Sequence, residues 1–141
     1  PLMAATPTYR NDAKPIRKQI LPADTTAWVD VVDNTAGTKA VRVEALNLCS
    51  DDTSTVNIQF SRYDGSTNYV VGTVRAVTLA GTDGATARVD CLQTIGTLAP
   101  DGIRVIEVGA GGKLQAKSLV AVTSAKTVTL SGWFMKFEAD A

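Results

Sequence analysis

Residues 106–118 read IEVGAGGKLQAKS, three glycines within four positions and then a lysine. That composition suits a loop whose backbone amides wrap a phosphate. A Walker loop requires Gly, four residues, then Gly-Lys-Ser/Thr, so that a hydroxyl can hold magnesium. Five residues before Gly112 stands Glu107, whose carboxylate would repel phosphate, and Leu114 follows Lys113 where the hydroxyl should be. The dinucleotide fingerprint fails as well, because Leu114 occupies the place of the glycine three beyond Gly111. Moreover, LQAKSLVAV alternates as a strand, with Leu114, Ala116, Ser118, Val120 and Val122 on one face. GAGG is therefore expected to be a hairpin loop whose glycines supply positive φ.

Other chemistry is bounded by composition. The chain has no histidine, which removes Ser-His-Asp and Cys-His catalysis together with His-based metal centres. Two cysteines, Cys49 and Cys91, cannot form a four-thiolate site or a disulfide framework, and both are expected to be free thiols. Asp51, Asp52 and Asp83 fall in turns, where Asp serves the backbone. Asp30 and Asp33 are three apart and would face opposite sides of a regular strand. The aromatics Tyr9, Trp28, Tyr63, Tyr69 and Trp133 are scattered, and Arg62-Tyr63 alone is no nucleic-acid platform. No enzyme activity, cofactor, metal or small-molecule substrate is expected.

The 141 residues suit one domain, with apolar residues at 45% and charged residues at 20%. Lysines and arginines balance acidic residues at 14 each, which argues against a nucleic-acid partner. No purely apolar run exceeds four residues, so no membrane-spanning helix is expected. PLMAA has neither an apolar h-region nor a preceding basic residue, so no secretory signal is expected, and Pro1 fits removal of an initiator methionine.

Two regions differ in character. Residues 1–24 hold four of the five prolines. Residues 1–21 carry Arg10, Lys14, Arg17 and Lys18 against Asp12, a local charge of +3. Proline fixes φ and removes a donor, so this segment is expected to be an extended arm outside the sheets, mobile until it docks. Arg10, Lys14, Arg17 and Lys18 would meet an acidic partner surface, and Ile16, Ile20 and Leu21 would fill apolar grooves. Residues 25–141 read as a single all-β sandwich or jelly roll of about eight antiparallel strands. The strands are expected at 27–33, 40–48, 55–61, 69–79, 86–92, 103–108, 114–122 and 127–137, with a helical turn within 92–98. Asp64-Gly65 marks a hairpin turn. In the last strand Val128, Leu130 and Phe134 share one side, while Trp133, Met135 and Phe137 share the other. Such a strand is expected to be covered on both faces, by the arm or by another subunit.

At FSRYDGSTNYVVGTV and in the tail IEVGAGGKLQAKSLVAVTSAKTVTLSGWF the chain resembles small β-sandwich structural proteins of tailed bacteriophages, above all the decoration or cement proteins of the capsid exterior. The likeness covers roughly residues 25–137 and lies in the order of strands and Gly-rich tips, so no family residue transfers as a site. It implies a jelly-roll-like, non-catalytic homo-oligomer, a dimer or trimer, made in the bacterial cytoplasm. It further implies contact with the major capsid protein at the capsid surface, where the chain would bridge subunits. A tail-associated or glycan-binding module is the alternative, and it would cluster aromatics at one end of the sandwich.

Overall fold

The computed structural model describes residues 8–139, with side chains from 13 to 136. Eight principal strands build it: β1 (Thr8–Ile20), β2 (Val29–Asp33), β3 (Val41–Ser50), β4 (Val56–Tyr63), β5 (Asn68–Ala76), β8 (Arg104–Val108), β9 (Lys113–Ser118) and β10 (Val128–Ala139). Between β5 and β8 lie two short strands, β6 (Val89–Asp90) and β7 (Thr97–Leu98), and the helical turn α1 (Leu92–Ile95). That turn falls where the sequence places it. The expected strand at 86–92 shrinks to β6, because Cys91 opens α1.

One sheet runs β1-β10-β3-β8-β7, with β6 attached to β3, and the other runs β2-β9-β4-β5. Among the principal strands, first pairs with last, second with seventh, third with sixth and fourth with fifth, all antiparallel. This nesting describes a long β-ribbon rolled into two facing sheets, which is a jelly roll.

The inner faces meet in one core. Val56, Ile58 and Phe60 project inward from β4 as their alternation demands, against Val43, Leu46, Leu48 and Leu130 of the opposite sheet. In β3 the buried set changes phase, from Val41 and Val43 to Leu46 and Leu48. The cause is a bulge: Trp133 pairs with Ala45 and Phe134 with Val43, so Glu44 is the extra residue. Gly132 faces this bulge, and a Cβ there would collide with the Ala45 carbonyl oxygen. A second bulge, at Val31, corrects the expectation for Asp30 and Asp33. Val29 and Val32 both point inward, so Asp30 and Asp33, also three apart, share the outer face beside Lys113.

The expectation of an arm at 1–24 is corrected over residues 8–20, while residues 1–7 lie outside the described residues. Residues 8–20 do not stay out of the sheet: they are β1, paired along their length with β10. Proline is tolerated in a strand only where its nitrogen faces away from the ladder, and β1 is an edge strand. Ile16 and Ile20, expected to anchor a partner, are 2% and 0% exposed in this chain's own core.

Candidate interaction surface

The glycine-rich loop at 109–112 joins β8 of one sheet to β9 of the other. It is thus an arch between sheets and not the hairpin expected. Asn34, 4% exposed, holds it. The Asn34 backbone N–H donates to the Gly112 carbonyl at 2.9 Å, and its carbonyl accepts from Gly111 N–H at 2.9 Å. Its side-chain amide donates to the carbonyls of Lys39, Val108 and Gly109 at 3.0, 3.2 and 3.0 Å. Gly111 has φ +81°, and a Cβ at Gly112 would press on the Tyr63 carbonyl oxygen, 2.9 Å away. The glycines serve this close approach.

Carboxylates are likewise occupied with structure. Asp30 accepts from Gln115 Nε2 at 2.8 Å and from Lys113 Nζ at 2.9 Å, and Asn68 links Gln115 to Ser61 with two bonds of 2.7 Å. This row spans the outer face of β2-β9-β4-β5. The Gln115 hydrogen bond, with Lys113 beside it, holds the Asp30 carboxyl below its ordinary value. Burial pushes the Asp52 carboxyl upward, but the Thr123 and Ser54 amides and the Thr123 hydroxyl outweigh it, and the balance is downward. Asp52 thereby ties the loop after β3 to the loop before β10. Among the described residues no group of three or more Cys, Asp or Glu side chains is placed to hold a metal. Cys49 and Cys91 are both free, and burial followed by the neighbouring Asp90 charge pushes the Cys91 thiol up to about 12, far from nucleophilic use.

Exposed apolar side chains remain. On the outer face of the β1-β10-β3 sheet Trp133 is 47% exposed. Its flanking partners are Pro15 on β1 and Ala45 on β3, with half-buried Met135 two positions along. No arm folds across this strip among the described residues. Lys14, Arg17, Lys18 and Leu21 belong to β1 and the residue after it. Arg17 is exposed and Leu21 is 40% exposed, whereas Lys14 and Lys18 are half-buried and share the strand parity of Ile16 and Ile20. Arg10 and Phe137 pair through their backbones, and their side chains lie outside the described residues. Trp133 and Met135 are thus brought together with Pro15, while the cationic set is spread along an edge.

Sequence reasoning missed a second surface, at the opposite side of the sandwich. Tyr69 and Val70 on edge strand β5 are 58% and 55% exposed, and Leu98 on β7 is 59% exposed. Arg62, the cross-strand partner of Tyr69, donates from Nε to the Glu107 carbonyl at 3.1 Å. It lines a cleft of about 320 Å³ with Arg42, Leu98, Pro100, Val105 and Glu107. The signal was present in NYVVGTV, where three large apolar residues in a row cannot all face one core.

The described residues thus form a two-sheet jelly roll whose Asp30 and Asp52 bind the structure together and whose outer surface carries exposed apolar strips. The chain matches no protein-family model and no curated sequence. Among solved structures it is similar to a chain in the acid-stable capsid of Helicobacter pylori bacteriophage KHP30, at 11% identity and a TM-score of 0.58. That match covers 97% of this chain and 99% of the other. A pentameric capsid protein from metagenomic phage sequences is also similar, at 23% identity and a TM-score of 0.41, over 89% of this chain and 61% of that one.

Proposed function

We propose that this chain is a structural protein of a phage virion, of the cement type: it binds the outside of a shell of major capsid protein and bridges its subunits. The observation that carries the reading is the shared jelly roll, matched over nearly the full length of both chains, with a chain of a phage capsid. The surface supports it. Trp133, Pro15 and Met135 offer an apolar strip that a neighbouring subunit would desolvate, at roughly 25 cal/mol per Å² of apolar area removed from water. Many copies of a modest contact then stabilise a shell collectively. The role requires no bond-making chemistry, and Asp30, Asp52 and Cys91 are committed to hydrogen bonds or burial.

Among the described residues the exposed aromatics do not cluster as the tail or glycan-binding alternative would require. Trp28 lies under the Lys117 ammonium at 4.6 Å, and the exposed aromatics Tyr69 and Trp133 stand on different sheets. Co-sedimentation of the purified chain with preformed shells tests the proposal. Saturable binding, stoichiometric with the major capsid protein, is expected. Trp133→Ser should weaken it by about tenfold or more while leaving the melting temperature nearly unchanged, since a residue half in water contributes little to its own core. Absence of binding, or only a few copies per particle, overturns the reading.

A further inference from the structure

Among the described residues the two sheet paths end at β1, β7, β2 and β5, and the first three ends are guarded. The thirteen-residue β1 carries Pro15 within it, and Lys14 and Lys18 share the inward parity of Ile16 and Ile20. A lysine at such a position reaches water around an open edge, but an added strand would bury it. β2 has five residues and is bent by the bulge at Val31. β7 has two residues. Short strands, bulges, prolines and inward charges are the devices that prevent edge-to-edge pairing.

β5 differs. It is nine residues long, NYVVGTVRA, with no proline, lysine or carboxylate. Its outer edge has no strand partner, and among the described residues no loop backbone hydrogen-bonds to it. Its bulge at Val71 is a partial guard of the same kind as that in β2, and Ile95 of α1 lies beside Gly72, but residues 72–76 continue beyond the bulge as a run as long as the whole of β2. Tyr69 and Val70 are more than half exposed there.

We propose that β5 is a self-association edge, and that its occupant is β5 of a second copy of this chain, antiparallel across a two-fold axis. The choice of occupant follows from elimination. A strand that pairs here must itself offer an open edge, and among the described edge strands β5 alone is long and carries neither proline nor an inward lysine. Antiparallel self-pairing is isologous, so each copy satisfies the other. Charge agrees with it: Arg75, the one charged residue of β5, lies near its end, so an antiparallel pair sets the two guanidiniums at opposite ends of the ribbon. Pairing β5 with β1 would instead bury Lys14 and Lys18. Cross-strand neighbours in the pair would cover part of Tyr69 and Val70, and Leu98, across the Arg62 cleft, adds apolar area beside it. This inference concerns two copies in solution and stands apart from the shell proposal.

Sedimentation velocity over a concentration series tests it, using the full chain, Val70→Lys and Trp133→Ser. The wild type should dimerise. Val70→Lys puts a cation on the paired edge and should weaken dimerisation by about tenfold or more. Its circular dichroism and melting temperature should be unchanged, because Val70 is more than half exposed. Trp133→Ser should dimerise as the wild type does. A wild-type chain that stays monomeric throughout overturns the proposal. So does a Val70→Lys dimer as tight as the wild type, or a dimer lost in Trp133→Ser alone.

Discussion

Asn34 shows how one polar side chain holds two loops in place. Its amide is buried and bonded to three carbonyls, on the loop that follows β2 and on the arch between β8 and β9. Gly37 lets the first loop close over it, since a Cβ there would strike the Asn34 side chain. Asn34→Ala leaves the buried Val108 carbonyl without its donor and removes the part-buried bonds to Lys39 and Gly109, which costs about 1–3 kcal/mol. The melting temperature should fall by roughly 3–10 °C, measured by calorimetry, with the sheets intact by circular dichroism. A change smaller than about 0.5 kcal/mol, the usual effect of a surface substitution, would show that water replaces the amide without loss. Sequence spacing could not reveal this role, because Asn34 sits in NTAG, where turn propensity alone explains it. By contrast, Asp64 and Gly65 were fully legible. The Asp64 carboxylate accepts from the Ser66 and Thr67 amides at 2.9 and 2.8 Å, and Gly65 takes φ +105° at the turn of the β4–β5 hairpin.

Elements were legible where alternation is unbroken, as in β4, and obscured where a bulge shifts its phase. In VRVEALNL the apolar residues change face between Val43 and Leu46, and only the partner strand shows that Glu44 is the inserted residue. Residues 8–20 are hard to read for a related reason: proline density argues against a strand, yet an edge strand accommodates Pro15, and Ile16 and Ile20 keep strand parity. The consequence for truncation is direct. Deleting residues 1–20 removes Ile16 and Ile20, each contributing about 1.5–3 kcal/mol by burial, and strips the ladder from β10. Val128 and Leu130, now 0% exposed, would face water beside the vacated edge. Against a typical total of about 5–15 kcal/mol, the truncated chain should lose its cooperative thermal transition and aggregate. A truncated protein that melts as the full chain does would show that β1 is dispensable to the sandwich.

At the scale of the molecule, the all-β class followed from periodicity, but the pairing order did not, and β1 takes the place among the principal strands that 86–92 was expected to fill. Alternation says which face a residue takes and nothing about which strand lies beside it. In the jelly roll the least local pair, β1 with β10, closes the structure: Ile20 lies opposite Val128, with 128 − 20 − 1 = 107 residues between them. Closing so long a loop is costly in entropy before any contact rewards it, and topologies of this kind fold slowly. The same ladder sets Thr8 opposite Ala139, so the two ends of the described chain are adjacent. A circular permutant can therefore join residue 141 to residue 1 through a short linker and open between Ser124 and Ala125, both exposed. β10 and β1 then become a hairpin with a connection of about ten residues, which lowers the closure cost by roughly 2 kcal/mol. The permutant should keep the native circular dichroism, since each strand retains its neighbours. If the β1–β10 pair forms in the rate-limiting step, stopped-flow refolding should accelerate by up to about thirtyfold. Unfolding should change far less, because the closed ladder is the same in both chains. An unchanged refolding rate would place that pairing after the barrier, and the nucleus would then lie in the local hairpin of β4 and β5, which the permutation leaves intact.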